Sequence, residues 1–164
     1  MKSQFMKIFI KAVIMTIVIG AIGILYNYIY QDGVKPFSVY KSPSDVLKND
    51  PRTIISVEEI KQLWDNGSAV FIDTRSIEAY EKGHISGAFP LPYDNIEGYI
   101  QNVRDFVDPG MTIITYCDGE DCLSSLHVAD YLGINGYPDI KIFFGGWELW
   151  SIKGYPMETG GLFE

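Results

Sequence analysis

The sequence is poor in cysteine and histidine, with two residues of each among 164. Cys117 and Cys122 lie in one short segment, which excludes a disulfide framework distributed over the chain. His84 and His127 are too few for a histidine-rich metal site, and a zinc set of Cys117, Cys122 and His127 would lack a fourth ligand. We therefore expect no metal site, and the chemistry implied by the sequence motifs described below requires neither a metal nor an organic cofactor.

Basic residues are also scarce. The chain has 13 lysines and arginines against 21 acidic residues, a formal net charge of −8 at pH 7. Because binding to a phosphate backbone needs a basic face, this balance argues against nucleic acid as a partner. The hydrophobic content of 47% is sufficient for the core of one ordinary domain.

Charge is absent altogether from Ala12 to Gln31, a run made mostly of aliphatic residues. As a helix this run would span about 30 Å, the thickness of a bilayer's hydrocarbon core. Lysines precede it, and an excess of lysine on one side places that side in the cytoplasm. We predict a cytoplasmic basic segment at 1–11, a transmembrane anchor in the lipid bilayer at 12–31, and a domain outside the cytoplasm, on the periplasmic side of a bacterial inner membrane.

Two alternatives to an anchor remain. Ala21-Ile22-Gly23 has small residues at the spacing that a signal peptidase needs, as in a cleaved signal peptide. The apolar run continues through Ile24 and Leu25, which favours an uncleaved anchor. The second alternative is a buried core helix. Of the three possibilities, including the anchor, it is the only one that leaves the location of the domain open.

A proline-containing segment at 32–52 is predicted to be a linker. After it, apolar runs of strand length alternate with helical patterns, which predicts an α/β domain with a mainly parallel sheet at 53–158, followed by a tail at 159–164. Ligands of such sheets bind outside the carboxyl ends of the strands. Cys117 directly follows the predicted strand 111–116. The other predicted strands are 69–72, 88–91 and 140–144, and the predicted helices are 56–65, 76–82, 96–106, 123–132 and 147–152.

Three segments, in this order, resemble the rhodanese family: Asp73-Thr74-Arg75 with Glu78 and Gly83-His84-Ile85-Ser86-Gly87-Ala88, then Cys117 after a β-rich run, then Gly145-Gly146-Trp147-Glu148-Leu149-Trp150. The resemblance implies a rhodanese-like α/β fold, a mostly parallel five-stranded sheet flanked by helices. It also implies a sulfurtransferase whose Cys117 takes a sulfur atom as a persulfide from a small donor or a persulfidated protein. Within the first segment we interpret Asp73, Arg75, Glu78 and His84 as structural, with Arg75 and Glu78 as an ion pair three residues apart.

The loop after Cys117 departs from the family. We expect its residues to cradle an uncovered sulfur with backbone N–H groups at the start of a helix. Its three carboxylates would repel anions, which disfavours the dianion thiosulfate as donor. No arginine follows Arg104, so the Cys-x5-Arg clamp of related phosphatases is excluded. Ser124 or Ser125 is expected to cap the helix or to donate to the sulfur. The predicted cradle comprises Asp118, Gly119, Glu120, Asp121, Leu123 and Ser124.

Cys122 suggests an additional step. We hypothesise that it is a resolving thiol, which attacks the Cys117 sulfur and expels hydrosulfide to leave a disulfide. A curled loop would bring the Cα atoms within the roughly 7 Å that a disulfide requires. Three functions remain open: an extracytoplasmic sulfurtransferase, a dithiol/disulfide redox or sulfur-relay module, and a non-catalytic interaction domain in which the cysteines are structural.

Overall fold

The computed structural model describes residues 2–29 and 42–161. Most of the predicted linker at 32–52, the last residues of the predicted anchor and the end of the predicted tail therefore lie outside the described residues. The chain divides between residues 40 and 41 into two compact units, which are considered separately below.

The first unit contains one long helix, α1, at Lys2–Ile29. Its segment Gln4–Tyr26 has a mean hydropathy of 2.6 and is exposed along its whole length. Apolar side chains surround the helix instead of forming one stripe, so the pattern is not that of an amphipathic surface helix. The helix is long and apolar enough to span a membrane.

Helix α1 begins within the predicted basic segment 1–11, ahead of the predicted anchor at 12–31. Lys7 and Lys11 lie on α1 itself, because the apolar residues between and before them continue the helix. A lysine near a helix end can extend its ammonium group toward water while its methylene stem stays on the apolar surface. The lysines therefore do not mark where the helix begins.

In the second unit strands and helices alternate as predicted. The helices that begin after Ser56 and Ser76 are capped by these two serines. The Ser56 and Ser76 hydroxyls accept hydrogen bonds from the backbone N–H of Glu59 and Ala79, at 3.2 and 3.3 Å. The elements are α2 Pro43–Lys48, β1 Thr53–Ile54, α3 Val57–Asp65, β2 Ala69–Asp73, α4 Ile77–Lys82, β3 His84–Ile85, β4 Phe89–Pro90, a 3₁₀ turn Tyr93–Asn95, α5 Ile96–Phe106, β5 Thr112–Tyr116, α6 Ser124–Ile134, β6 Ile140–Phe143, α7 Gly146–Ile152 and β7 Met157–Glu158.

The main sheet has five strands in the order β1-β6-β5-β2-β4, and all neighbouring pairs are parallel. The predicted rhodanese-like architecture is thus confirmed. A separate antiparallel pair joins β3 to β7. Since β5 lies between β6 and β2, the chain segments that leave these three strands meet at one edge of the sheet.

Both faces of the sheet are covered, so its central strands are apolar on both sides. Ile72, Ile113 and Ile142 point to one face, where they join a core that includes side chains of α5 and α6. Their neighbours along the chain, such as Phe71 and Ile114, point to the opposite core, which includes α3 and α7. This two-sided packing holds the carboxyl edge of the sheet rigid.

Helix α2 falls inside the segment that the sequence predicts to be a linker, and this part of the prediction is wrong. Leu47 is only 1% exposed and belongs to the core on the α5 and α6 face. A helix of this length contains too few turns to produce a visible hydrophobic period. Its sequence signal is the capping box in which Ser42 and Asp45 bond each other's backbone N–H.

We predict that Leu47→Ala lowers the free energy of unfolding by about 2–4 kcal/mol, because it leaves a cavity in a closed core. Ile134→Ala, which removes an aliphatic side chain that is 87% exposed, is the matched control and should change stability by less than about 0.5 kcal/mol. Chemical denaturation of both variants makes the comparison. Equal effects would mean that α2 is not part of the folded unit.

Candidate active site

Cys117 follows β5, the central strand of the sheet. The first turn of α7, the helix that follows the neighbouring strand β6, bonds the main chain of Cys117 and Asp118. The backbone N–H of Trp147 donates to the Cys117 carbonyl oxygen at 2.8 Å, and that of Glu148 donates to the Asp118 carbonyl oxygen at 2.8 Å. These two bonds use amides that a helix start leaves without an internal partner. The start of the cysteine loop is therefore attached to the start of α7.

Gly146 makes this attachment sterically possible. Its φ is +54°, and a Cβ at this position would collide with the carbonyl oxygen of Cys117 and lie 3.0 Å from the carbonyl atoms of Asp118. Only glycine adopts this backbone conformation readily and leaves room for the loop. The Gly145-Gly146 pair of the sequence motif thus has a physical role in bringing α7 against Cys117.

Cys117 and Cys122 are joined by a disulfide, with their Cα atoms 6.2 Å apart. Between them the chain makes a tight turn, in which the Cys122 N–H donates to the Gly119 carbonyl at 3.2 Å. Cys117 is 3% exposed, whereas Cys122 is half-buried. The expectation of an uncovered Cys117 sulfur is therefore wrong for this state, because the curled loop places Cys122 over it.

Ser124 contacts the disulfide directly. Its Oγ lies 3.0 Å from the Cys117 sulfur and 3.2 Å from the Cys122 sulfur. The N-cap of α6 is Leu123, which makes no side-chain capping bond and packs against the core, so the capping role expected of Ser124 or Ser125 is wrong. Within the described residues no backbone amide donates to the Cys117 sulfur, and the predicted amide cradle is replaced here by the Ser124 hydroxyl.

A second hydroxyl lies behind Ser124. Thr74 Oγ1 is 2.7 Å from Ser124 Oγ and 2.9 Å from the Tyr116 carbonyl oxygen. The Tyr116 carbonyl also accepts the Thr74 backbone N–H at 3.0 Å, so it keeps a partner when the Thr74 hydroxyl turns away. Thr74 can then donate to Ser124, which in turn donates its one proton to sulfur. Thr74 was not predicted to be a site residue, although its place at the end of a strand next to β5 indicates proximity to Cys117.

Arg75 pairs with Asp73 and not with Glu78. Its guanidinium makes hydrogen bonds of 2.6–3.1 Å to the Asp73 carboxylate and one of 2.7 Å to the Gly83 carbonyl. Burial opposes the charged guanidinium, but the hydrogen bonds and charge of Asp73 outweigh it and raise the Arg75 pKa. Glu78 is exposed on α4, where hydrogen bonds from its own backbone N–H and from Ser76 lower its pKa. The predicted Arg75–Glu78 pair is wrong because the buried Asp73 is the nearer partner.

Arg75 also faces the cysteine loop. Its Nη1 lies 3.8 Å from the Asp118 carboxylate, and its guanidinium lies over the Trp147 ring at 4.7 Å. One buried cation therefore links the end of β2, the loop and α7. The Nδ1 of His84 is 2.9 Å from the Tyr80 carbonyl, and its ring stacks on that of Tyr80.

An open depression of about 670 Å³ lies beside the loop, and Cys122 is part of its wall. Four carboxylates surround it, and two aliphatic side chains contribute an apolar patch. The contribution of Glu148 was not predicted, although this residue lies within the third motif. The lining residues are Asp118, Gly119, Glu120, Asp121, Cys122, Gly145, Glu148, Leu149 and Ile152.

His127 does not join the cysteines. Its ring stacks on that of Tyr93, with the centroids 5.1 Å apart. The metal-ligand types that do cluster are Cys117, Asp118 and Cys122, within 4.8 Å of one another. Because a metal binds thiolates, the disulfide would have to be reduced before these sulfurs could coordinate one.

The sequence profile of the rhodanese-like domain family matches residues 56–153, a range that runs from α3 through α7 and includes the strands β2 to β6. The chain belongs to this family. Its Cys-x4-Cys loop occupies the position that the resemblance in the sequence had indicated.

Solved structures of similar fold agree with this assignment. The BH2092 protein of Bacillus halodurans is 24% identical with a TM-score of 0.58, and the match covers 66% of this chain and 77% of that one. Thiosulfate sulfurtransferase of Pseudomonas aeruginosa is 19% identical with a TM-score of 0.55, over 73% of this chain and 23% of that one. A persulfide form of an EanB variant with ergothioneine is 24% identical with a TM-score of 0.56, over 64% of this chain and 27% of that one. The last two proteins are thus several times longer than the matched region.

We predict that Gly146→Ala destabilises the protein more than Gly154→Ala does. Both glycines have positive φ, but a Cβ at Gly154 meets nothing within 4 Å, whereas one at Gly146 meets the Cys117 carbonyl. Gly154→Ala should therefore cost about 1–2 kcal/mol from backbone strain alone, and Gly146→Ala roughly 2 kcal/mol more. Chemical denaturation measures the difference, and equal costs would show that α7 does not depend on this close approach.

Proposed function

We propose that this protein is an extracytoplasmic sulfurtransferase that carries sulfane sulfur as a persulfide on Cys117, with Cys122 as the resolving thiol. The observation that carries the proposal is the position of Cys117: it lies at the carboxyl end of the central strand, with Ser124 Oγ 3.0 Å from its sulfur and Cys122 bonded to it. The rhodanese-like fold and the sulfurtransferase among its structural neighbours support sulfur transfer as the general role.

In the reduced protein the Cys117 thiolate attacks the sulfane sulfur of a donor. The bond from that sulfur to the rest of the donor breaks, and the donor leaves with the electron pair. An acceptor nucleophile then removes the terminal sulfur and regenerates the thiolate. Alternatively, the Cys122 thiolate attacks the inner sulfur of the persulfide and expels hydrosulfide, which leaves the observed disulfide. An external thiol must then reduce the disulfide before the next cycle.

Ser124 and Thr74 suit the anionic states of this cycle. When Cys117 is a thiolate or a persulfide anion, it is the strongest acceptor near the Ser124 hydroxyl, 3.0 Å away. Thr74, at 2.7 Å, then donates to Ser124 and holds the hydroxyl in that orientation. The start of α6 adds the positive end of a helix dipole.

The charges around the loop indicate which kind of sulfane donor the protein uses. Asp118, Glu120 and Asp121 are exposed around the disulfide, and among the described residues only Asp118 of the three has an ion-pair partner, Arg75 at 3.8 Å. An anionic donor such as thiosulfate would be repelled, so we propose a neutral or cationic sulfane donor or a persulfidated protein. The lysines at the start of α1 support an orientation in which this domain lies outside the cytoplasm.

A second candidate function, a dithiol/disulfide redox or sulfur-relay module, is favoured by the disulfide itself. Transfer through a persulfide needs one thiol, whereas a dithiol cycle needs two. The cysteine variants therefore separate the two functions.

We predict that the reduced protein gains one sulfur atom on Cys117 when it is incubated with cysteamine persulfide, a sulfane donor that carries a positive charge, as measured by intact mass and peptide mapping. Cys117→Ser should abolish the adduct. Cys122→Ser should keep it and prolong its lifetime, because no resolving thiol remains to expel hydrosulfide. If Cys122→Ser loses sulfur transfer as completely as Cys117→Ser, the redox module is the correct function.

We predict that Ser124→Ala slows alkylation of reduced Cys117 at neutral pH by about 10-fold and moves the alkylation curve toward alkaline pH, because a hydrogen bond to an anion contributes about 1.5–3 kcal/mol. Thr74→Val should have a smaller effect in the same direction. Ser151→Ala, whose hydroxyl bonds only the Glu148 carbonyl in its own helix, is the control and should leave the curve unchanged. An unchanged curve in Ser124→Ala would remove this serine from the chemistry.

A further inference from the structure

The two sulfurs of the disulfide differ in access. Cys122 is half-buried and forms part of the wall of the acidic depression, whereas Cys117 is 3% exposed and does not line it. A thiolate attacks a disulfide sulfur in line with the bond that breaks, so it needs open space beyond the attacked atom. Cys122 borders such an open space, the depression, and Cys117 does not.

The two sulfurs also differ as leaving groups. If the Cys122 sulfur is attacked, the Cys117 sulfur departs as a thiolate 3.0 Å from the Ser124 hydroxyl, with Thr74 behind it. If the Cys117 sulfur is attacked, Cys122 departs with the same hydroxyl 3.2 Å away, and Asp118 lies close to both sulfurs. The difference between the two leaving groups is that Cys122 lines the depression together with Glu120, Asp121 and Glu148, whose carboxylates oppose a new negative charge, whereas Cys117 does not. Access and leaving-group stability therefore favour the same direction.

We propose that the Cys122 sulfur of the oxidised protein is where an external thiol attacks, and that this thiol carries a positive charge close to its sulfur. The inference rests on the proposed function, because it describes how the disulfide left by the transfer cycle is reduced. It assigns Cys122 a role beyond that of a resolving thiol, as the residue that receives the reductant.

The reaction has two steps. A first thiolate forms a mixed disulfide with Cys122, and the bond between the cysteines breaks with its electron pair going to Cys117. A second thiolate attacks the sulfur of the first reductant molecule in the mixed disulfide, forms the small disulfide and releases the Cys122 thiolate. Two thiols are oxidised to one disulfide, and the protein disulfide is reduced to two thiols by two electrons.

The charge of the reductant follows from the lining of the depression. Asp118, Glu120, Asp121 and Glu148 surround it, and among the described residues that line it none is basic. Arg75, 3.8 Å from Asp118, is itself buried and already paired with Asp73. A like-signed field slows the approach of an anionic thiol and accelerates that of a cationic one.

The site of attack is tested by trapping the mixed disulfide on the full-length oxidised protein. Cysteamine is added, and free thiols are blocked with N-ethylmaleimide at short times. Cleavage after Glu120, which lies between the two cysteines, then separates them for mass spectrometry. We expect cysteamine on Cys122 and maleimide on Cys117. Cysteamine mainly on Cys117 would overturn the assignment, as would an aerobically purified protein that contains two free thiols.

The charge of the reductant is tested by comparing cysteamine, neutral 2-mercaptoethanol and anionic 2-mercaptoethanesulfonate, with each rate expressed per thiolate. At low salt we expect cysteamine to exceed the sulfonate by about 10-fold or more, and 1 M salt to remove most of this ratio. Dividing the rate ratio at low salt by the rate ratio at 1 M salt cancels the intrinsic nucleophilicity of each thiol. A ratio that does not change with salt would overturn the charge preference.

Two matched double variants locate the charge effect. Glu120→Gln with Asp121→Asn removes two charges from the depression and should reduce the ratio at low salt several-fold. Glu81→Gln with Asp105→Asn removes two exposed charges that do not line it and should leave the ratio unchanged. Equal effects of the two would assign the preference to net charge and overturn the local role. These measurements use the oxidised protein, so their failure is distinct from a missing persulfide on the reduced protein.

Discussion

The site depends on the main-chain contact between the first turn of α7 and the loop that leaves β5. The Trp147 N–H donates to the Cys117 carbonyl at 2.8 Å, and the absence of a side chain at Gly146 permits this approach. The contact sets where the Cys117 backbone lies, and the rigid parallel sheet beneath it sets where α7 begins. The positions of Ser124 and Cys122 relative to the sulfur of Cys117 follow from this backbone.

The buried ion pair of Arg75 and Asp73 provides a second contact to the cysteine loop. Arg75 is paired with Asp73 beneath the loop, packs over Trp147 and faces Asp118. Removing either member of such a buried pair leaves an uncompensated charge, which is far more costly than loss of a surface pair. The Asp-x-Arg motif is therefore structural in its bonds, yet it influences chemistry because it holds the loop that carries both sulfurs.

The disulfide changes the meaning of the burial of Cys117. A cysteine residue that is 3% exposed would argue against a nucleophile if it were a free thiol, but here its sulfur is bonded to that of Cys122. In this oxidised state the cysteine that borders the open depression is Cys122, and the Ser124 hydroxyl lies beside the Cys117 sulfur.

Much of the fold was predictable because its signals are local. The predicted helix at 96–106 and the predicted strand at 111–116 coincide with α5 and β5 to within one residue. Helix α2 was missed because a helix this short shows no period, although its capping box is visible. The Arg75 partner was predicted incorrectly because helical spacing suggested Glu78, whereas burial selected Asp73.

By itself, the amino-acid sequence determined the class of fold and the apolar N-terminal helix and identified the two cysteines as candidate reactive groups, because hydrophobic pattern and motif order are properties of the chain alone. Only the tertiary structure decided which sulfur is covered, which hydroxyl faces it and which charges surround it. Those features arise where the ends of β2, β5 and β6 meet, and the residues that meet there are far apart in the chain. Spacing along the sequence carries no information about such contacts until the sheet brings them together.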